Sequence, residues 1–246
     1  MRMFYWRVSK HNPSERDSSG AKMKQDRTSP PESSRLSESE PLTMEAYVQA
    51  EAAYVDTVQA FLRESDVDEV RVINPTAHLR SKVDPLFEAR FADIHLQDDQ
   101  LVDAARIADI CSMAYRSIIW CMLVRRNRFF VHFGYDDCLY IGSSRPCRDA
   151  VRFARQQGLY VDECVSPYLS SSDARSLFWT RKGELTIEGE EELVSVSLNQ
   201  LRMLFGLSKD HPVTGHFTLS ERHAEAVGQW VSHAIDLESC EYYIAD

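Results

Sequence analysis

Three segments rich in aromatic and β-branched residues follow one another between Tyr115 and Gly142: YRSIIWCMLV, FFVHF and CLYIG. Only RRNR and GYDD separate them. Breaks this short admit hairpin turns and leave no room for a crossover helix, so the spacing predicts an antiparallel meander. Within it, Phe129, Val131, Phe133 and Tyr135 share one face, and Phe130 and His132 the other. Leu139 and Ile141 likewise oppose Cys138 and Tyr140. One face is wholly apolar and belongs to a core. The other is amphipathic, and Asp136 and Asp137 fall in the turn, where carboxylates are readily solvated. The plain reading is a core hairpin with an acidic turn. The sharper one makes Tyr135, Asp136, Asp137 and Tyr140, with Asp162 and Glu163, a partner-binding surface, since aromatic anchors beside carboxylates suit a basic protein.

The flanking sequence supplies strands and helices around this meander. MFYWRV reads as a strand whose three large rings call for burial. Residues 11–42 turn to Ser, Pro, Glu, Arg and Lys and cannot bury enough apolar surface to offset ordering, which predicts a flexible polar loop. Thr43 caps a long helix with apolar residues at Met44, Tyr47, Val48, Tyr54, Val55, Val58, Phe61 and Leu62. EVRVIN reads as a strand that stops before Pro75, DPLFEARF as a short helix, and a second long helix starts at Asp98 or Asp99. Ser144 is the expected cap of a further helix, with Pro146 in its first turn and Gly158 closing it. LYVDECV returns as a strand. In the last third, ELTIE and ELVSVS are expected to pair across GEE. SLNQLRMLFG opens with a capping box of Ser197 and Gln200, SERHAEAVGQWVSHAI reads as one helix, and CEYYIA as a final strand. The pattern predicts an α+β fold, a single domain around a largely antiparallel sheet with flanking helices and a long polar loop after the first strand. Residues 1–10 supply that strand, residues 43–169 the α+β core, and residues 170–246 an α/β extension packed on the same domain.

Charge narrows the function classes. The formal net charge is −10. Residues 1–43 hold eight Lys/Arg against six Asp/Glu, which leaves −12 on the remainder. An acidic body repels phosphate backbones and suits a basic protein partner, so protein binding is expected and nucleic-acid binding is not. The six cysteines form no C-x-x-C pair, and the longest apolar run, Ile118–Val124, is too short for a bilayer. With no recognisable signal segment, a cytoplasmic protein with no membrane partner is expected.

Chemical motifs are sparse. His211 and His216 lie five apart, and His223 and His233 ten apart on one expected helix, about 15 Å of rise, too far for one ion. No G-x-S-x-G elbow, phosphate loop or dinucleotide fingerprint occurs, so neither a metal nor a cofactor is expected. An enzyme would draw on His132 with Asp136 or Asp137 as acid–base groups. LYIG matches half of the GIY-YIG nuclease signature. Arg148 or Arg152 and Glu184 or Glu188 would complete such a site, but FFVHFG holds phenylalanine where the catalytic tyrosine belongs.

FYWRVSKHNP, LTMEAYVQAEAAYVDTVQAFL and FFVHFGYDDCLYIGSS with GLYVDECVSPY together resemble bacterial proteins associated with toxin loci, candidate immunity proteins of polymorphic toxin systems. The resemblance spans residues 1–169. It keeps Gly134, Tyr135 and Asp136 and departs at Asp137, Cys138 and Leu139. It implies a non-catalytic protein that neutralises a cognate toxin by direct binding, without catalytic residues or cofactor. The alternatives are the His132 enzyme, a degenerate GIY-YIG-like nuclease, and a structural subunit whose acidic surface has no specific meaning.

Overall fold

The structure, a computed structural model, describes residues 2–12, 43–77, 86–134, 138–169 and 174–246. The chain divides into two compact units, Met1–Tyr168 and Leu169–Asp246. The expected α+β class is found: the described residues form five α-helices and two sheets whose strand pairs are all antiparallel.

In the first unit the meander forms as its spacing predicts. β4 (Ile119–Arg125), β5 (Phe129–Phe133) and β6 (Cys138–Ser143) pair in sequence. β1 (Phe4–Ser9) pairs with β6 and with β7 (Tyr160–Glu163). β2 (Glu69–Ala77) and β3 (Gln100–Asp103) complete a seven-stranded sheet of order β3-β2-β4-β5-β6-β1-β7. β2 continues past Pro75, where the sequence predicts a stop. A register irregularity between Ile73 and Thr76, with Asn74 at φ 50°, lets the ring pass without breaking a ladder bond.

Helix α1 (Met44–Ser65) starts as predicted, with Thr43 Oγ1 accepting from the Ala46 amide at 3.2 Å. Tyr47, Tyr54, Val58, Phe61 and Leu62 are buried, whereas Met44 and Val48 of the expected stripe are exposed. α2 (Ala104–Tyr115) starts later than Asp98 or Asp99. Asp103 is its cap, accepting from the Arg106 amide at 2.9 Å. Asp98 instead accepts from the Asn74 amide at 2.8 Å, which holds the preceding chain against β2. Of DPLFEARF, Ala89–Phe91 forms a single 3₁₀ turn.

Ser144 does not cap α3 (Arg148–Gln156). The residue before that helix, Cys147, is left-handed at φ 37° and gives no side-chain bond. The Ala150 amide donates to Glu64 Oε2 of α1 at 2.8 Å, a cap supplied by another helix. The core of this unit lies between helices and sheet, with Trp6, Val8, Phe61, Leu123, Val131 and Ile141 buried together. Arg116 joins buried Glu51 at 2.7 Å, donates to the Leu86 carbonyl at 2.8 Å and pairs with Glu88.

The second unit is a four-stranded sheet of order β10-β11-β8-β9: β8 (Ser176–Arg181), β9 (Ile187–Glu192), β10 (Phe217–Thr218) and β11 (Cys240–Ala245). Its core gathers Leu177, Leu201, Phe217, Val227, Tyr242 and Ile244. α4 (Leu198–Phe205) opens with the predicted Ser197–Gln200 capping box. ELTIE and ELVSVS do not pair. The GEE segment lies inside β9, which pairs with β8. The Trp179 ring covers Gly189, so that only glycine fits opposite it. α5 (Glu221–Gly228) is shorter than predicted. Glu191 accepts the Ser232 and His233 amides at 2.6 and 3.0 Å, diverting the chain from helical hydrogen bonding. His233 therefore lies outside α5, and Ala234 is exposed.

Candidate functional site

The second face of the meander is not amphipathic in the fold. Every described residue of β5 and β6 is buried. The chain after β7 crosses this face and brings Tyr168 edge-on to Trp120, His132 and Tyr140 at centroid separations of 6.0 to 6.3 Å. Tyr140 is 8% exposed and cannot serve as the surface anchor the sequence suggests; covering by distant rings is the reason. Tyr135, Asp136 and Asp137 lie outside the described residues. Asp162 is half-buried and forks onto Arg7, accepting from Nη2 at 2.8 Å and Nε at 3.3 Å. Glu163 is exposed at the end of β7.

His132 is the residue on which the enzymatic alternative turns. It is 3% exposed, stacks on Phe130 at 4.4 Å and shares a 2.8 Å hydrogen bond between Nδ1 and Ser166 Oγ. Burial disfavours the charged ring and pushes its pKa down to about 3. A sealed, neutral imidazole neither meets substrate nor exchanges protons at neutral pH.

Burial also pushes the Cys121 thiol up to about 12, raises Cys147, and raises Cys111 further with help from the nearby Cys121. These are core thiols rather than nucleophiles. Among the described residues, no group of three His, Cys, Asp or Glu side chains could hold a metal ion.

Three further histidines do structural work. The Val213 amide donates to Nδ1 of His211 at 2.8 Å, and the Ser220 amide to Nδ1 of His223 at 3.1 Å. His233 stacks on Trp179 at 3.9 Å and bonds Tyr242 at 3.0 Å. As for the nuclease pattern, Arg148 and Arg152 are exposed on α3, while Glu188 of the second unit pairs with Arg181 at 2.6 Å.

The combination of rings and carboxylates occurs instead on the outer face of the C-terminal sheet. In β8, Leu177 and Trp179 point to the core and Phe178 away from it. In β11, Tyr242 and Ile244 point inward and Tyr243 outward. Tyr243 stacks on Phe178 at 5.3 Å and on exposed His216 at 5.1 Å, making a row of three rings. Glu190 lies opposite Phe178, Glu192 opposite Ser176 and Glu241 opposite Thr180, all exposed. The unit holds 13 Asp/Glu against six Lys/Arg, a net of −7 out of the chain's −10. This surface can desolvate a flat apolar group and neutralise the cations beside it. Its signal was present in the sequence. SLFWTR and CEYYIA each carry adjacent aromatics, and adjacent strand residues face opposite ways, so one ring of each pair must leave the core.

Glu191 of β9 faces inward, and the Ser232 amide first, then that of His233, hold its carboxyl below the ordinary range. No helix among the described residues is long and apolar enough to cross a membrane. Residues 175–245, nearly the whole second unit, match a family described as a domain of unknown function (DUF7683). That match lies wholly outside residues 1–169. No curated protein and no solved structure matches the chain.

Proposed function

We propose that the protein acts by binding another protein, and that its C-terminal sheet face captures a basic partner. The observation that carries this reading is the row His216–Tyr243–Phe178 with Glu190, Glu192 and Glu241 around it. Large rings lose little conformational freedom on binding and fill a partner's pockets, and carboxylates at their rim steer a cationic surface toward them. With the resemblance of the first unit to toxin-locus proteins, the specific form proposed is an immunity protein that neutralises a cognate toxin by contact. The sealed position of His132 weighs against the enzyme that would use it.

The test is co-expression with the product of the neighbouring reading frame, followed by binding kinetics. Protection of the host from that product and a complex of the two chains support the proposal. Phe178→Ala with Tyr243→Ala should weaken the complex by about 2 kcal/mol or more, chiefly by faster dissociation. Glu190→Lys with Glu192→Lys should slow association, most at low salt. A complex indifferent to all four substitutions refutes the assigned face. A neighbouring gene for a metabolic enzyme that forms no complex refutes the immunity role.

A further inference from the structure

The sheet of the first unit ends on β7, which among the described residues is paired on one side only, by β1. The Cys164 amide donates to the Tyr5 carbonyl at 3.3 Å. Antiparallel alternation then makes Arg7 and Asp162 the next hydrogen-bonded pair and turns the main-chain groups of Val161 and Glu163 outward. Arg155 Nη2 donates to the Val161 carbonyl at 2.9 Å. The Val161 and Glu163 amides and the Glu163 carbonyl thus remain for an added strand.

A groove of about 730 Å³ runs along this edge, with α3 as its other wall. Arg2, Arg148, Arg152 and Arg155 line it, with apolar surface from Phe4 and Val151. Arg148, Arg152 and Arg155 are exposed and recur four and three residues apart, one stripe along the helix. Among the described residues Arg152 meets only Asp149, in an exposed pair at 2.9 Å, and Arg2 lies over the Phe4 ring at 5.0 Å. Glu163 is the one acidic side chain on the described lining. In a chain of net charge −10, this concentration of cations at a strand edge suits an occupant of opposite sign.

We propose that the groove takes an extended acidic segment of a partner protein, added to β7 as a further strand. Strand addition draws affinity from the main chain and selectivity from alternate side chains. Glutamates or aspartates at every second position would face the arginine stripe, where guanidinium forks match carboxylates. A polyphosphate chain would meet the arginines but has no donors and acceptors spaced for the outward amides and carbonyl. A second copy of this chain would set one arginine stripe against another. This site is separate from the aromatic face of the second unit and takes the opposite charge, so it stands or falls independently of that reading.

The probe is a short fluorescent peptide of alternating valine and glutamate, titrated against the full chain by anisotropy. The same measurement is made with lysine in place of glutamate and with alternate amides N-methylated. The acidic peptide is expected to bind, the lysine peptide not to bind, and N-methylation to abolish binding. Arg148→Glu with Arg152→Glu, both on the exposed face of α3, should weaken binding by about tenfold or more with the circular dichroism unchanged. Failure of the acidic peptide to bind overturns the proposal, as does equal binding of the lysine peptide. Equal binding of the N-methylated peptide shows charge without strand pairing and overturns it too. Tighter binding of single-stranded oligothymidylate, displacing the peptide, would assign the groove to nucleic acid. Concentration-dependent dimerisation reversed by the peptide would assign it to a second copy.

Discussion

Replacing His132 by phenylalanine separates the sealed histidine of the fold from a histidine open to water. The folded-state pKa lies near 3, against 6.5 for the free side chain, and burial is the cause. A group whose charged form is excluded from the native state makes stability fall with pH. Below 6.5 the unfolded chain takes up a proton that the folded one refuses until near pH 3. At pH 5 the unfolded form gains about 1.5 pH units of protonation free energy, about 2 kcal/mol at 1.36 kcal/mol per unit, whereas at pH 7 the effect is only about 0.2 kcal/mol. Phenylalanine keeps the ring stacked on Phe130 but leaves Ser166 without its 2.8 Å bond. That loss costs about 1 kcal/mol, independent of pH. His132→Phe should therefore be the less stable protein at pH 7 and equal or exceed the wild type at pH 5. Urea denaturation of both proteins, followed by tryptophan fluorescence in parallel at pH 7, 6 and 5, reads the difference and cancels the carboxylates common to both. A stability gap that stays constant between pH 7 and 5 would mean that His132 titrates normally in the native state. The account of it as a core residue would then be wrong.

Gly189→Ala should cost about 1–3 kcal/mol, because its Cβ would fall inside the Trp179 ring, and hydrogen exchange should locate the loss in the second unit. Gly142→Ala meets the Phe130 ring in the same way and should destabilise the first unit by a similar amount. Glu51→Ala leaves Arg116 buried with half-buried Glu88 as its remaining carboxylate and should cost about 3–5 kcal/mol in denaturant melts. Replacing Glu51 and Arg116 together with methionine should recover most of that loss. A double variant as unstable as the single would show that the pair is not what Glu51 contributes.

What was legible in the sequence was what neighbouring residues decide among themselves. Alternation and short polar breaks specified the three meander strands, and Thr43 and Ser197 marked helix starts because a cap and its amide lie three residues apart. The acidic bias of the chain and the aromatic pairs of SLFWTR and CEYYIA were also there to be read.

Only tertiary structure decided the rest, since each remaining feature joins residues far apart in the chain. Glu64 rather than Ser144 caps α3, and Tyr168 rather than solvent covers Tyr140. Gly189 belongs inside a strand because the Trp179 ring lies over it. Pattern shows that a side chain has an apolar or a charged face. Which distant group desolvates it, and so whether it becomes core or binding surface, is settled when the chain closes on itself.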